Sequence, residues 1–122
     1  HMYYPVLINE ATSGYPLVLQ LRAGNSHPGK GVAGLLRWLF WRLRRAWPDV
    51  EIILRADSGF SLPEIVTTCE RAQVGYALGY RRNAVLERKI QPVLEQARVV
   101  ACLNRDGKAR LFEDVYYAAA TW

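Results

Sequence analysis

Aliphatic and aromatic residues dominate two short segments at the start of the chain. Residues 4–10 and 15–22 read as strands, and the four residues between them, Ala11-Thr12-Ser13-Gly14, are small and suited to a turn. Two strand-like runs joined by turn-forming residues are typical of a β-hairpin. Residues 23–31 then contain three glycines and a proline, which predicts an irregular loop.

A helical period follows this loop, over residues 32–47. The apolar residues at that spacing fall on one face, and they are Val32, Leu35, Leu36, Leu39, Leu43 and Ala46. Pro48 ends the pattern, because proline removes a backbone donor that a helix needs.

The opposite face of this helix combines arginine with tryptophan. Its residues are Arg37, Trp38, Trp41, Arg44 and Arg45. One interpretation is that the tryptophans cover neighbouring structure while the arginines extend to water. The other is a nucleic-acid surface, since arginine bonds phosphate and aromatic rings stack on bases. The pattern leaves both interpretations open.

Short strands and helices alternate through the middle of the chain. Residues 51–54 predict an apolar strand, and residues 76–80 predict a second one. Between them a capping box, Ser61-Leu62-Pro63-Glu64, begins a helix over residues 62–72. The apolar face of this helix holds Ile65, Val66, Cys69 and Ala72.

The last third of the chain predicts a long helix and a final strand. Asn83 is a typical N-cap for a helix that runs to about Asn104, and Pro92 kinks or restarts it. The β-branched and aromatic residues of 110–118 predict the strand.

The predicted order is therefore ββαβαβαβ in one α/β domain over residues 3–122. Helical crossovers between strands require some parallel pairing. His1-Met2 resembles a cloning scar, so the chain is expected to be an excised piece of a longer protein.

Composition restricts the classes of function. Sixteen lysines and arginines against eleven acids give a net charge of +5 and a pI near 9.5, and thirteen of the sixteen are arginine, which suits phosphate contacts. No apolar stretch approaches the roughly 18 residues of a membrane span, and no secretory signal is visible. Cys69 and Cys102 lack partners at metal-ligand spacing and are expected to be buried, reduced thiols, as in the cytoplasm.

Asp57 is the leading candidate for chemistry. It follows an apolar strand and precedes a turn at Gly59, and open α/β sheets bind ligands beyond the carboxyl ends of their strands. A carboxylate there can also cap the next helix or bind a loop amide. Metal-dependent phosphoryl transfer needs two or three converging carboxylates, and no complete triad is evident.

The other candidates are weaker. Glu64 is explained as the partner in the capping box, while Glu113 and Asp114 are adjacent on a predicted strand and point to opposite faces. His27 has no partner residue and is expected to be structural or exposed. The glycine-rich loop around it does not match a phosphate-binding P-loop.

Several ordered segments resemble the catalytic core of bacterial insertion-sequence DDE transposases. They are Leu21-Arg22-Ala23-Gly24-Asn25-Ser26-His27, the helix that closes on Trp47-Pro48, Leu54-Arg55-Ala56-Asp57-Ser58-Gly59-Phe60, and parts of 69–86. The resemblance implies a ribonuclease H-like core, a mixed sheet with helices, in which three acids bind two Mg²⁺ or Mn²⁺ ions. Asp57 matches the second acid, as catalytic residue and metal ligand.

The resemblance also implies that the first acid precedes Tyr3 and the third follows Trp122. The chain is then an incomplete, inactive fragment of a bacterial cytoplasmic enzyme that cleaves and joins DNA. The absent first strand would leave two unpaired sheet edges, and a homodimer or a strand-exchanged dimer is expected.

Candidates for DNA contact are Arg22, Asn25, His27, Arg37, Arg44, Arg45 and Arg55. Two alternative functions remain open: a non-catalytic basic module that binds nucleic acid, and a ribonuclease H-like nuclease.

Overall fold

The computed structural model describes residues 2–118. The described part of the chain forms two compact units, which meet between residues 80 and 81. In the described part of the chain, no helix is both long enough and apolar enough to cross a membrane.

The predicted hairpin is confirmed. Strand β1, Val6–Asn9, pairs antiparallel with strand β2, Pro16–Gln20, and Leu7 lies opposite Leu19. The Glu10 carboxylate holds the turn between them, because it accepts hydrogen bonds from the Thr12 amide at 2.8 Å and from the Ser13 amide and hydroxyl.

Helix α1, Val32–Ala46, provides much of the core of the first unit. Its buried residues are Val32, Ala33, Leu36, Leu39 and Phe40. Ala46 is exposed, contrary to the sequence prediction, and Ala33 and Phe40 are buried although the predicted face omits them. The buried stripe is wider than predicted because α1 also packs against the next helix. Leu36→Ala should cost about 2–5 kcal/mol.

The predicted parallel pairing is confirmed between β3, Ile53–Ala56, and β4, Gly75–Leu78. Helix α2, Pro63–Arg71, is the crossover between them, and a short 3₁₀ helix, Ser58–Phe60, precedes it. β3 begins two residues later than predicted, because its ladder with β4 sets its bounds.

The predicted capping box at α2 is wrong. The N-cap is Leu62, which makes no side-chain capping bond, and Pro63 occupies the first helical turn. Proline is well suited to the first helical position, since its fixed φ matches the helix and its missing N–H would have had no partner. Glu64 is therefore the second helical residue and too close to the N-cap for a capping box.

The second unit contains α3, Ala84–Leu103. Asn83 caps it as predicted, with its side-chain oxygen accepting from the Val85 and Leu86 amides at 3.1 and 3.0 Å. The helix continues through Pro92 and does not restart. Cys102 is exposed, contrary to the prediction, because α3 buries none of its residues, whereas Cys69 in α2 is fully buried.

The predicted final strand over 110–118 is also wrong, because these residues adopt no regular structure. A strand requires a partner, and none of the described residues of the second unit offers one. The order through residue 118 is ββαβαβα. Within this range, the strands form two separate two-stranded sheets rather than one mixed sheet.

Candidate active site

Asp57 lies directly beyond the carboxyl end of β3 and is exposed. It is the N-cap of the 3₁₀ helix, and its Oδ1 accepts the Gly59 amide at 2.8 Å. Within residues 2–118 its other oxygen, Oδ2, makes no hydrogen bond or ion pair. One oxygen is thus held by the backbone while the other remains available, so the capping role does not preclude a ligand role.

Gly79 positions the backbone of Asp57 from the neighbouring strand. Its amide donates to the Ala56 carbonyl at 2.9 Å. A Cβ at Gly79 would lie 3.0 Å from the Ser58 nitrogen and 3.3 Å from the Asp57 carbonyl carbon, closer than most real Cβ contacts. Only glycine allows this approach without displacement. The sequence does not by itself show this role, although a glycine at the end of a strand can mark such close contact.

The glycine-rich loop, residues 23–31, lies beside the Asp57 turn. A Cβ at Gly59 would lie 3.0 Å from the Pro28 Cβ, and one at Gly29 would lie 2.3 Å from the Leu62 Cδ1. Of the loop residues proposed to contact DNA, Asn25 and His27 are exposed. The His27 Nδ1 accepts the Gly29 amide at 3.2 Å, which orients the ring, and Nε2 makes no hydrogen bond among residues 2–118.

Arg22 holds this loop from inside. Its Nη1 donates to the carbonyls of Pro28 and Lys30 at 2.8 and 3.0 Å, and its guanidinium stacks on the Tyr4 ring, 5.3 Å from the centroid. Its Nη2 is buried and has no acceptor among residues 2–118. Arg22 therefore has a structural role in holding the loop.

A groove of about 1110 Å³ lies between β1 and β3, with apolar residues of α1 along it. In an antiparallel pair, every second residue of a strand bonds to its partner strand. The Tyr4 amide bonds to the Arg22 carbonyl, so Leu7, three residues further along, falls on a position whose backbone groups point away from β2. The bonds from Gly75 to Ile52 and from Gly79 to Ala56 similarly direct those of Ile53 and Arg55 away from β4. Leu7, Ile53 and Arg55 all line the groove. Two open strand edges therefore border it.

The arginine-tryptophan face of α1 lies near the other end of β3. Arg44 donates to the carbonyls of Pro48, Val50 and Gln73, just before β3 and β4 begin. Arg44 therefore has a structural role. The remaining side chains include stacked pairs: Arg42 lies 5.3 Å from the Trp38 ring and Arg45 lies 5.5 Å from the Trp41 ring.

The candidates for DNA contact thus fall into separate places. Asn25 and His27 lie on the loop near Asp57, Arg55 lines the groove, and Arg37 and Arg45 are exposed on α1. The structure does not bring them together on one surface.

Asp57 has no acidic partner in the described part of the chain. Among residues 2–118, no three histidine, cysteine or acidic side chains come together as a metal site. Mg²⁺ retains its waters unless several oxygens converge on it. The described residues therefore do not by themselves fit a divalent metal.

A comparison with known protein families matches one family, described as transposase DDE domain group 1, over residues 1–122. Searches of the curated proteins and of the solved structures each give no match.

Proposed function

The chain belongs to the transposase DDE domain group 1 family, and on this premise we propose that Asp57 is one metal ligand of an insertion-sequence transposase. The observation that supports the proposal is the exposed carboxylate at the carboxyl end of β3, with Oδ2 available. Mg²⁺ or Mn²⁺, when bound by a complete set of acids, would stabilise the attacking and leaving oxygens of a DNA phosphodiester.

The chain contributes the placement of that one carboxylate. The Gly59 amide orients it, and Gly79 lets β4 approach its backbone. The other two acids are then supplied by other parts of the parent enzyme. We expect residues 1–122 alone to cleave and join no DNA, and metal-dependent strand transfer by this chain would contradict that expectation.

The groove between β1 and β3 supports a ribonuclease H-like core. A strand in this groove could form hydrogen bonds on both sides, with the backbone groups of Leu7 on β1 and with those of Ile53 and Arg55 on β3. It would join the two small sheets into one mixed sheet and pass close to Asp57. We assign this place to the strand that carries the first acid in the parent enzyme.

A chain without that strand exposes both edges, and unpaired edges associate. A homodimer or a strand-exchanged dimer of this chain follows from the proposal. Light scattering over a range of concentrations should detect it, and a strictly monomeric species at the highest concentration would argue against it.

DNA contact in the proposed enzyme is assigned to side chains that are not used inside the fold. These are Asn25 and His27 on the loop, Arg55 in the groove, and Arg37 and Arg45 on α1. Arg22 and Arg44 are excluded from this set because their guanidinium groups bond backbone carbonyls.

The deciding experiment is Asp57→Asn in the parent enzyme. The asparagine oxygen can still accept the Gly59 amide, so the fold is retained while the anionic ligand is lost. Loss of groups that merely support metal ligands already costs about 10–100-fold, so excision should fall by at least about 100-fold. Asp57→Ala, which also removes the cap, is expected to lose activity and some stability.

The second candidate function is a non-catalytic module that binds nucleic acid. It is favoured by the capping bond from Asp57 to Gly59, which gives the carboxylate a structural purpose. In that case Asp57→Asn would retain full excision activity. The same variant therefore separates the two functions.

A further inference from the structure

A second surface of the first unit has the chemistry of a nucleotide-binding pocket. Between α1 and α2 lies a cavity of about 340 Å³, lined by Arg37, Trp41, Arg44 and Arg71 and by three uncharged residues, Phe40, Thr68 and Ala72. Small-molecule pockets begin at about 300 Å³. The cavity therefore suits one small group rather than a segment of protein.

The charge of this pocket favours an anion. Three arginines line it and no acidic residue does. Arg44 is fixed by its bonds to backbone carbonyls, while Arg37 and Arg71 make no hydrogen bond or ion pair within residues 2–118. Two guanidinium groups therefore remain available beside a fixed positive charge, and guanidinium groups bind phosphate oxygens in pairs.

An aromatic ring lies beside these arginines. Trp41 lines the same pocket and is 58% exposed, with the Arg45 guanidinium 5.5 Å from its ring centroid, so a base would stack on the ring face that Arg45 does not cover. An exposed indole next to unpaired arginines is the combination that binds single-stranded nucleic acid, in which bases are free to stack on protein rings. A simple phosphate site would not need the ring.

We propose that this pocket binds one nucleotide of single-stranded DNA, with the phosphate on Arg37 and Arg71 and the base against Trp41. The proposal rests on the proposed function, which supplies DNA as the substrate. It adds a contact that does not involve Asp57 or a metal.

The position of the pocket relative to Asp57 indicates which part of the DNA it would bind. Arg44 binds the Val50 carbonyl before β3, whereas Asp57 follows β3, so the two sites lie toward opposite ends of a strand that is about 13 Å long. The pocket anchors DNA that flanks the reacting phosphodiester.

The test measures binding of a fluorescein-labelled oligothymidylate by anisotropy, in EDTA. Arg71→Ala and Trp41→Ala should each weaken binding about tenfold, because each removes a charged hydrogen bond or a stacking contact. Arg88→Ala is the matched control, since Arg88 is also an exposed helical arginine but lies on α3. It should change binding less than about twofold.

Trp41→Phe provides a second readout and retains an aromatic ring. It should keep most of the affinity but lose the quenching of tryptophan fluorescence on binding, whereas Trp38→Phe should retain the quenching. The proposal is overturned if Arg88→Ala weakens binding as much as Arg71→Ala, or if neither pocket variant weakens it. Asp57→Asn should bind the oligonucleotide normally, so failure of the pocket and failure of the metal-ligand assignment give different results.

Discussion

Gly79 sets how closely β4 approaches the residue on which the proposed chemistry depends. Gly79→Ala places a methyl group 3.0 Å from the Ser58 nitrogen, and backbone cannot move aside as a flexible side chain can. The free energy of unfolding should fall by about 1–3 kcal/mol, the usual cost of overpacking. Urea denaturation measures it, and excision by the parent enzyme should fall as Asp57 is displaced.

Gly75→Ala is the matched control for this substitution. Gly75 also lies on β4, but a Cβ there would make an ordinary 3.5 Å contact with the Ile53 side chain. We expect unchanged or slightly increased stability, because alanine restricts the unfolded chain. Equal destabilisation by the two variants would mean that Gly79 has no special role.

Glu10 gives the hairpin a pH dependence. Its hydrogen bonds from the Ser13 hydroxyl, and then from the Thr12 and Ser13 amides, lower the pKa of the carboxyl from 4.5 to about 2. A pKa that is lower in the folded state means that the charged form stabilises the fold. This stabilisation is complete above about pH 5 and is lost as the pH falls toward 2.

Glu10→Gln should therefore be less stable than the unsubstituted chain at pH 7, and this difference in stability should shrink as the pH approaches 2. Urea midpoints measured across this range test the expectation. Ser13→Ala removes the hydroxyl that contributes most to the pKa shift, so it should reduce the same pH dependence. If the difference in urea midpoint between the unsubstituted chain and Glu10→Gln were the same at all pH values, the stabilising role of the Glu10 charge would be contradicted.

At the scale of elements, the cap of α3 can be tested separately from its neighbours. Asn83→Ala removes the acceptor for the Val85 and Leu86 amides and should cost about 1 kcal/mol. Amide hydrogen exchange in the first turn of α3 should accelerate accordingly. Asn83→Asp keeps the cap but loses the donor to the Tyr117 hydroxyl, so it should retain slow exchange if capping is the main effect.

Elements defined by local signals were predictable. The hairpin, α1 and the β3-α2-β4 crossover follow from period, turn residues and proline positions, and the structure confirms all three. The prediction of a capping box was wrong because the helix begins one residue later than Ser61 requires. Pro63 is favoured at the first helical position, which makes Leu62 the N-cap instead of Ser61. Residues 110–118 have strand-forming composition, but strand formation depends on a partner that composition does not reveal.

The candidate site was predictable only in part for a related reason. The position of Asp57 at the end of a strand is a local property and is visible in the sequence. The bonds of Arg22 and Arg44 to backbone carbonyls depend on contacts that folding brings about, so the sequence does not show them. The close approach of Gly79 and the proposed role of Arg71 are not visible in the sequence, because both depend on neighbours that are distant along the chain.

At the scale of the molecule, the groove between β1 and β3 connects the fold to the chemistry. It separates two small sheets that the proposed ribonuclease H-like core would join in one mixed sheet, and it ends near Asp57. A single inserted strand would therefore complete the sheet and bring a further residue toward the metal ligand. The stability of the sheet and the assembly of the proposed active site would then depend on the same segment.

This relationship predicts an alternating pattern of amide hydrogen exchange. In the present chain, the amides of Leu7, Ile53 and Arg55 face the groove and should exchange quickly, whereas those of Val6 and Leu54 bond within their sheets and should exchange slowly. A longer piece of the parent that includes the proposed inserted strand should protect both sets and remain monomeric.

Concentration distinguishes insertion by the chain's own strand from association of two copies. If copies of the present chain pair through these edges, protection of Leu7, Ile53 and Arg55 should rise with protein concentration, together with the mass measured by light scattering. In the longer piece the protection should be independent of concentration. If the three amides remain unprotected in the longer piece, the groove does not receive that strand, and Asp57 must obtain its partner acids by another arrangement.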